Sequence, residues 1–269
     1  MLRAFKSEWI KMRRRSVLLG GASMTLFALI FIPLGIVTAT SPGGRSGGGP
    51  QALTKIALSG NQGLTTLLSR GGTLTAVIAL ILVASAMAAE YQQGTLRNLL
   101  VRQPGRLGLL TGKFLALLTY ALIAATVAFL VGIGAALVTA PARGIDTVAW
   151  TSSAGVANLF AMYGNLVLAV IAYSVLGYFS AVIFRSPAAA VAVPLAYILI
   201  VENLLGAVWS DAPQWLFGKL VSAVLNGQSV LSAGAGLSSY ARGLLLGAIY
   251  VAGFGIIAGA LFRRRDVST

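Results

Sequence analysis

The side chains that could carry chemistry in this chain are few. Its 269 residues contain no cysteine and no histidine, and only six are acidic. Disulfides, cysteine or histidine metal sites and histidine-based acid–base catalysis are therefore excluded. An intramembrane enzyme with a Ser–Lys pair would need a lysine well inside an apolar segment, and neither Lys113 nor Lys219 is expected there. A hydrolytic enzyme is accordingly hard to build from this sequence.

The stretch GLLTGKF, residues 108–114, is only superficially like a phosphate-binding loop. That loop requires G-x-x-x-x-G-K-[ST], because its amides cradle the phosphates and its hydroxyl holds magnesium. Counting back from Gly112, the first glycine position holds Leu107, and Phe114 follows Lys113 where a hydroxyl is needed. We therefore predict no cofactor in this chain, and any ATPase must be a separate polypeptide.

Glu202 and Asn203 lie within an apolar stretch, YILIVENLLGA. Ionisable residues inside a membrane are costly and by default indicate function. With no base expected beside it in the membrane, Glu202 could be neutral, reach the outer interface or contact substrate. Asn203 and Asn165 join it as candidate translocation-pathway residues, although an interhelical hydrogen bond is the alternative for Asn165. No filter-like loop or acidic ring supports an ion channel.

These residues must be positioned by membrane helices. The chain is 57% hydrophobic and 10% charged, with a mean hydropathy of +0.87, whereas soluble domains carry about 25% charged residues. About 20 apolar residues span a bilayer as a helix. The sequence predicts an all-α, polytopic, single transmembrane domain over residues 1–269 with six spans. These lie at about residues 17–39, 73–91, 114–139, 159–184, 188–208 and 243–262.

The distribution of basic residues predicts the orientation. The net charge of +14 does not indicate nucleic acid, because the bases lie at the ends of apolar runs rather than over a soluble face. Six spans place both termini on one side, and 14 of the 20 lysines and arginines fall on that side. Because such residues are enriched in cytoplasmic loops, both termini are predicted to be cytoplasmic.

Further short helices are predicted outside the spans. In residues 1–15, apolar side chains recur every three or four positions and the bases lie away from them. This pattern predicts an interfacial helix against lipid headgroups, and a solvated basic flank is the alternative. Between residues 210 and 240, Pro213 near a helix start and the break at Asn226-Gly227 predict a pair of short helices that rest at the outer membrane face or dip into it.

The sixth span has glycines at four-residue spacing, which let another helix approach closely. The packing partner could be this chain or a second copy. The glycines are Gly243, Gly247, Gly255 and Gly259.

A compact polar element, residues 88–113, separates the second and third spans. Gly94 can adopt the left-handed conformation that ends a helix, and Thr95 can cap a following helix of sequence LRNLLVR. Gln103-Pro104-Gly105 would end that helix as a turn. The physics alone leaves open a generic loop with arginines that reach the interface.

The segment EYQQGTLRNLL…RQPGRLGLLTGK resembles the signature of type-2 ABC transporter permeases. In that family E-x-x-x-G-T-[LR] follows the second span, and a P-x-R…GK segment leads into the third. The opening SEWIKMRRRS is similar to the family's N-terminal elbow helix, so the resemblance covers essentially the whole chain. The matching residues are Glu90, Gly94, Thr95, Leu96, Arg97, Pro104, Arg106, Gly112 and Lys113.

The resemblance implies a membrane subunit of a bacterial ABC exporter in the cytoplasmic membrane. Two permease chains, identical or paralogous, would pair with two ATP-binding subunits that carry Mg-ATP. The helix after Gly94 would be the coupling helix, with Arg97 and Arg102 facing acidic ATPase residues or lipid headgroups. Family association implies an amphipathic cargo, such as a drug, antibiotic or peptide. The alternative is an ion-coupled secondary carrier, or a stand-alone membrane protein without an ATPase.

Overall fold

The fold is a bundle of long helices, seen in a computed structural model that describes residues 15–40, 55–94, 106–227 and 239–264. Within these ranges there is no strand. A π-helical turn, Tyr197–Val201, joins α6 to α7, and 3-10 turns lie at Val148–Thr151 and Ala212–Gln214. The α-helices are α1 (Arg15–Thr40), α2 (Lys55–Ser59), α3 (Gly63–Gln92), α4 (Arg106–Ala142), α5 (Ser153–Phe184), α6 (Pro187–Ala196), α7 (Glu202–Val208), α8 (Phe217–Leu225) and α9 (Ser239–Arg264).

Six stretches in the described part of the chain are long and apolar enough to cross a membrane, which confirms the predicted number and order of spans. Three of them begin six or more residues earlier than predicted, because hydropathy undervalues small and polar residues that the bundle buries. In α3, for example, Ser69, Gly71 and Gly72 are buried before the predicted start at residue 73. The six stretches are Leu18–Thr40, Gly63–Gln92, Gly108–Ala142, Ser153–Phe184, Pro187–Val208 and Tyr240–Arg263.

The centre of the bundle is the contact between α3 and α5. Burial reaches 72% of the most apolar window of α5 and 56% of that of α3, against 6% for α9 and 11% for the α6–α7 span. The two central helices approach closely at Gly177, where a Cβ would lie 2.6 Å from the carbonyl oxygen of Leu80. Glycine is therefore required at this crossing, as is usual where membrane helices pack backbone to backbone.

One end of the bundle is closed by short elements between the spans. The indole N–H of Trp150 donates to the carbonyl oxygen of Leu58 at 2.8 Å, which ties the first 3-10 turn to α2. The short helix α8 buries Phe217, Leu220 and Val224 against the bundle. It ends at Asn226 and Gly227, and Gly227 has a φ of 62°. This confirms the first helix of the predicted pair.

Several predicted elements lie outside the described residues. These are the interfacial helix at residues 1–15 (α1 begins at Arg15), the helix predicted after Thr95, and the second short helix after Gly227.

Candidate functional site

A buried ion pair joins the ends of α3 and α4 that flank residues 95–105. The Lys113 Nζ donates to Oε1 and Oε2 of Glu90 at 2.7 and 2.6 Å. The Lys113 side chain is 2% exposed and that of Glu90 is 16% exposed. Lys113 lies five residues from the start of the Gly108–Ala142 span, near its end rather than well inside it, and it is buried. Its ammonium is engaged by a carboxylate, an arrangement that suits structural pairing rather than Ser–Lys catalysis.

The pair is tolerated at this depth because each charge neutralises the other. A charge at membrane depth is expensive unless it is paired. Removing one partner of a buried pair typically costs about 3–5 kcal/mol, since it leaves the other charge uncompensated. The pair therefore fixes the end of α3 against α4, although 23 residues separate Glu90 from Lys113.

α3 ends at a left-handed glycine beside this pair. Gly94 has a φ of 65°, and its N–H donates to the Tyr91 carbonyl oxygen at 3.2 Å. The predicted helix break at Gly94 is confirmed. The proposed coupling residues that follow it lie outside the described residues: Thr95, Leu96, Arg97 and Arg102.

The turn between α5 and α6 contacts the end of α3 near the Glu90–Lys113 pair. Arg185 has a φ of 52°, and within the described ranges it is the only non-glycine residue in the left-handed region, a conformation that costs a non-glycine residue about 1–2 kcal/mol. Its guanidinium carbon lies 5.9 Å from the ring centroid of Tyr91, within the range of a cation–π contact. We call Glu90, Tyr91, Gly94, Lys113 and Arg185 together the α3–α4 junction.

The C-terminal part of α5 also contacts the start of α4. The rings of Tyr178 and Phe114 lie 4.8 Å apart, and the Tyr178 hydroxyl donates to the carbonyl oxygen of Leu110 at 3.4 Å. Helices α3, α4 and α5 are therefore all linked at this end of the bundle.

Glu202 lies elsewhere and caps a helix. Glu202 is 1% exposed. Its Oε1 accepts a hydrogen bond from the backbone N–H of Gly218 at 2.7 Å. Gly218 is the second residue of α8, so the carboxylate satisfies an otherwise unpaired amide at the positive end of that helix. A Cβ on Gly218 would lie 2.6 Å from Oε2 of Glu202, so a larger residue here would displace the carboxylate.

Asn203 makes a parallel link to α8. Its Oδ1 accepts from the Lys219 Nζ at 2.7 Å, and its Nδ2 donates to the carbonyl oxygen of Leu199 at 2.7 Å. Lys219 directly follows the glycine that Glu202 caps, so a base from outside the predicted spans lies near Glu202.

Asn165 does not share a site with Glu202. Its Oδ1 accepts from the Tyr240 hydroxyl at 2.7 Å, an interhelical hydrogen bond between α5 and α9. Asn165 lies beside the C-terminal end of α8, where its Nδ2 is 3.6 Å from the position that a Cβ of Gly227 would take. Glu202 instead binds the N-terminal end of α8. Nine helical residues separate these ends by roughly 13 Å.

The glycines of the sixth span do not pack as one seam within this chain. Gly243 packs within the chain: its Cβ would lie 3.0 Å from Val224 Cγ2. At Gly247 and Gly255 no such neighbour lies within 4 Å among the described residues. Gly259 is half-buried on the same helix.

Sequence reasoning missed three contributors to these sites. Tyr91 and Arg185 carry no distinctive motif, and the role of Gly218 depends on a side chain 16 residues away. The Glu90–Lys113 pair did leave a signal, since an acid at the end of one span precedes a base at the start of the next. No group of acidic, histidine or cysteine side chains able to hold a metal ion occurs in the part of the chain that the structure describes.

Comparison with known families settles the family. The family model described as "ABC-2 family transporter protein" matches residues 4–201, which include α1, α3, α4, α5, α6 and the α3–α4 junction. The chain belongs to the ABC-2 transporter family. A search of curated proteins found no match. Membership makes the chain a multi-pass membrane protein and the transmembrane part of an ABC transporter, a class whose members work with ATP-binding subunits.

Proposed function

We propose that this ABC-2 protein forms the translocation pathway of a bacterial exporter and is driven by separate ATP-binding subunits at the α3–α4 junction. The observation that carries the proposal is the Glu90–Lys113 ion pair, which holds together the two spans flanking residues 95–105. A displacement of residues 95–105 would therefore move both α3 and α4.

The contacts around the pair suggest the path of that displacement. Arg185 contacts Tyr91 from the α5–α6 turn, so a push on the end of α3 would reach the fourth and fifth spans as well. ATP must bind one conformation of the assembly better than the other to shift the equilibrium between inward and outward states. The coupling helix would contain Thr95, Leu96, Arg97 and Arg102, with the arginines against acidic ATPase residues.

The remaining parts of the proposal rest on the family and the charge pattern. Residues 1–269 would form one permease domain in the cytoplasmic membrane, with both termini and the α3–α4 junction on the cytoplasmic side. Two permease chains, identical or paralogous, would complete the pathway, and Mg-ATP would bind only the partner subunits. The cargo class supported by family association is an amphipathic compound.

The test is assembly with an ATPase. The tagged chain is co-expressed with the ATP-binding proteins encoded beside it and purified in nanodiscs. We expect an ATP-binding subunit to co-purify in stoichiometric amount and to hydrolyse ATP. Failure to recover any ATP-binding protein would overturn the proposal.

The coupling segment is tested by two substitutions. Gly94→Pro and Arg97→Glu should each reduce recovery of the ATP-binding subunit or its hydrolysis, while membrane insertion is unchanged. Arg143→Glu is the matched control, because Arg143 is an exposed arginine beyond the opposite end of α4. Equal recovery and hydrolysis in all three variants would argue against a coupling helix after Gly94.

An ion-coupled carrier is the second candidate, and the burial of Glu202 in the fifth span favours it. Its cap on Gly218 provides a structural reason for the same burial. Transport that survives ATP depletion but collapses with the ion gradient would favour the carrier.

A further inference from the structure

A polar cavity of about 130 Å³ lies between the start of α3, the N-terminal half of α5 and the end of α8. It is at the opposite end of α3 from Glu90 and Gly94, and a 30-residue helix places these ends about 45 Å apart. Seven of the eleven described residues that line it carry a hydroxyl or a carboxamide.

The hydroxyl groups on one wall present oxygen lone pairs. Thr65 and Thr66 each donate their hydroxyl proton to the carbonyl oxygen of Gln62, at 2.9 and 2.8 Å. Ser69 donates to the carbonyl oxygen of Thr66 at 3.1 Å. A hydroxyl has one donor and two acceptor sites, so these three offer acceptors to a ligand.

The carboxamides complete the pattern. Asn226 donates its Nδ2 to the carbonyl oxygen of Ser222 at 2.8 Å, which leaves its Oδ1 as an acceptor. In Asn165 the acceptor is used instead of the donor: its Oδ1 accepts from the Tyr240 hydroxyl, and its Nδ2 has no partner within the described residues. Asn165 lines the cavity, so its Nδ2 is left as a donor to a ligand there.

The described wall of the cavity carries no charge, because none of the described residues that line it is charged. A charged ligand would therefore find no counter-ion among these residues, which is strongly unfavourable for a partly buried charge.

We propose that this cavity binds an uncharged, hydroxyl-rich group, such as a polyol chain or a single sugar ring. Hydroxyls of the ligand would donate to the oxygens of Thr65, Thr66, Ser69 and Asn226, and one would accept from the Nδ2 of Asn165. Drug-sized pockets enclose about 300–1,000 Å³, so this cavity takes a fragment or a head group rather than a whole amphipathic molecule. The inference goes beyond the proposed function, because this binding requires no ATPase.

Saturation-transfer NMR tests the proposal on the full chain in nanodiscs without an ATP-binding subunit. The probes are glucose and hexyl glucoside, which separate a free sugar from the head group of an amphipathic molecule. We expect saturable binding of ring protons for at least one probe. If only hexyl glucoside binds, the site is supported and its occupant is a head group.

Three variants locate the binding. Asn165→Asp keeps the acceptor for Tyr240 but removes the donor, and Ser69→Ala removes one acceptor with little change of volume. Each should weaken binding about tenfold, the typical effect of one lost hydrogen bond to a ligand. Thr119→Val is the matched control, because Thr119 also donates to its own helix, at Leu115, and is exposed away from the cavity.

Three results would overturn the proposal. The first is the absence of saturable binding of either probe, which would leave water as the occupant. The second is equal affinity in Asn165→Asp, Ser69→Ala and Thr119→Val. The third is displacement of the sugar by propylammonium or propionamide at equal or lower concentration, which would assign the cavity to a cation or an amide.

Discussion

Neutralising one partner of the Glu90–Lys113 pair should destabilise the protein by an amount that depends on which charge is left behind. Glu90→Gln leaves the Lys113 ammonium, whose side chain is 2% exposed. The expected loss is therefore near the upper end of the range of about 3–5 kcal/mol for a broken buried pair. Lys113→Met leaves the carboxylate of Glu90, which is 16% exposed and thus partly hydrated, so the loss should be nearer 3 kcal/mol, at the lower end of that range.

The double variant separates pairing from packing. Replacing both members of a buried pair by uncharged groups of similar volume is often close to neutral. Glu90→Gln combined with Lys113→Met should therefore be more stable than either single variant, with a coupling energy of about 2–3 kcal/mol, in the range for residues in direct contact.

The assay is SDS titration of the purified chain in mixed micelles, followed by tryptophan fluorescence. Asp211→Asn is the matched control, since it neutralises an exposed carboxylate and should change the unfolding free energy by less than about 0.5 kcal/mol. Losses below about 1 kcal/mol in both single variants, together with additivity in the double variant, would refute the argument that the pair is a buried structural link.

Two glycine substitutions test the packing by the same titration, and Gly164→Ala is the control for both. No neighbouring side chain or backbone atom among the described residues would lie within 4 Å of a Cβ at Gly164, so this change should stabilise the helix by about 0.5–1 kcal/mol. Gly177→Ala places a methyl group against the Leu80 backbone and should destabilise by about 1–3 kcal/mol; a stabilising effect like that of the control would contradict the close crossing of α3 and α5. Gly218→Ala should destabilise the protein by a similar amount, about 1–3 kcal/mol, because the added methyl group displaces the Glu202 carboxylate. In a Glu202→Ala background the same substitution should no longer lower the unfolding free energy. Equal costs in both backgrounds would argue against the cap.

Much of the fold could be predicted because a membrane restricts the alternatives. Within a bilayer every backbone amide must be satisfied inside the segment, so long apolar runs are helices. The six spans are confirmed on this basis. The predicted starts of the spans were less accurate where polar residues are buried inside the bundle, as at Ser69 in α3 and Lys113 in α4.

The sites were less predictable because they depend on contacts between distant parts of the chain. The left-handed break at Gly94 is a local property, and the sequence alone was enough to predict it. Glu202 was recognised as unusual, but its cap on Gly218 requires the fifth span to meet α8. Arg185 meets Tyr91 only because α5 packs against α3, which no local pattern shows.

The central claim is that the segment after Gly94 contacts an ATP-binding subunit, and a crosslink tests it most directly. Because the chain has no cysteine, Arg97→Cys supplies a unique thiol for a short bifunctional crosslinker in the assembled complex. We predict a crosslink to the ATP-binding subunit from position 97, and none from Asn226→Cys at the end of α8. A crosslink from position 226, or none from position 97 in an assembly that hydrolyses ATP, would contradict the account.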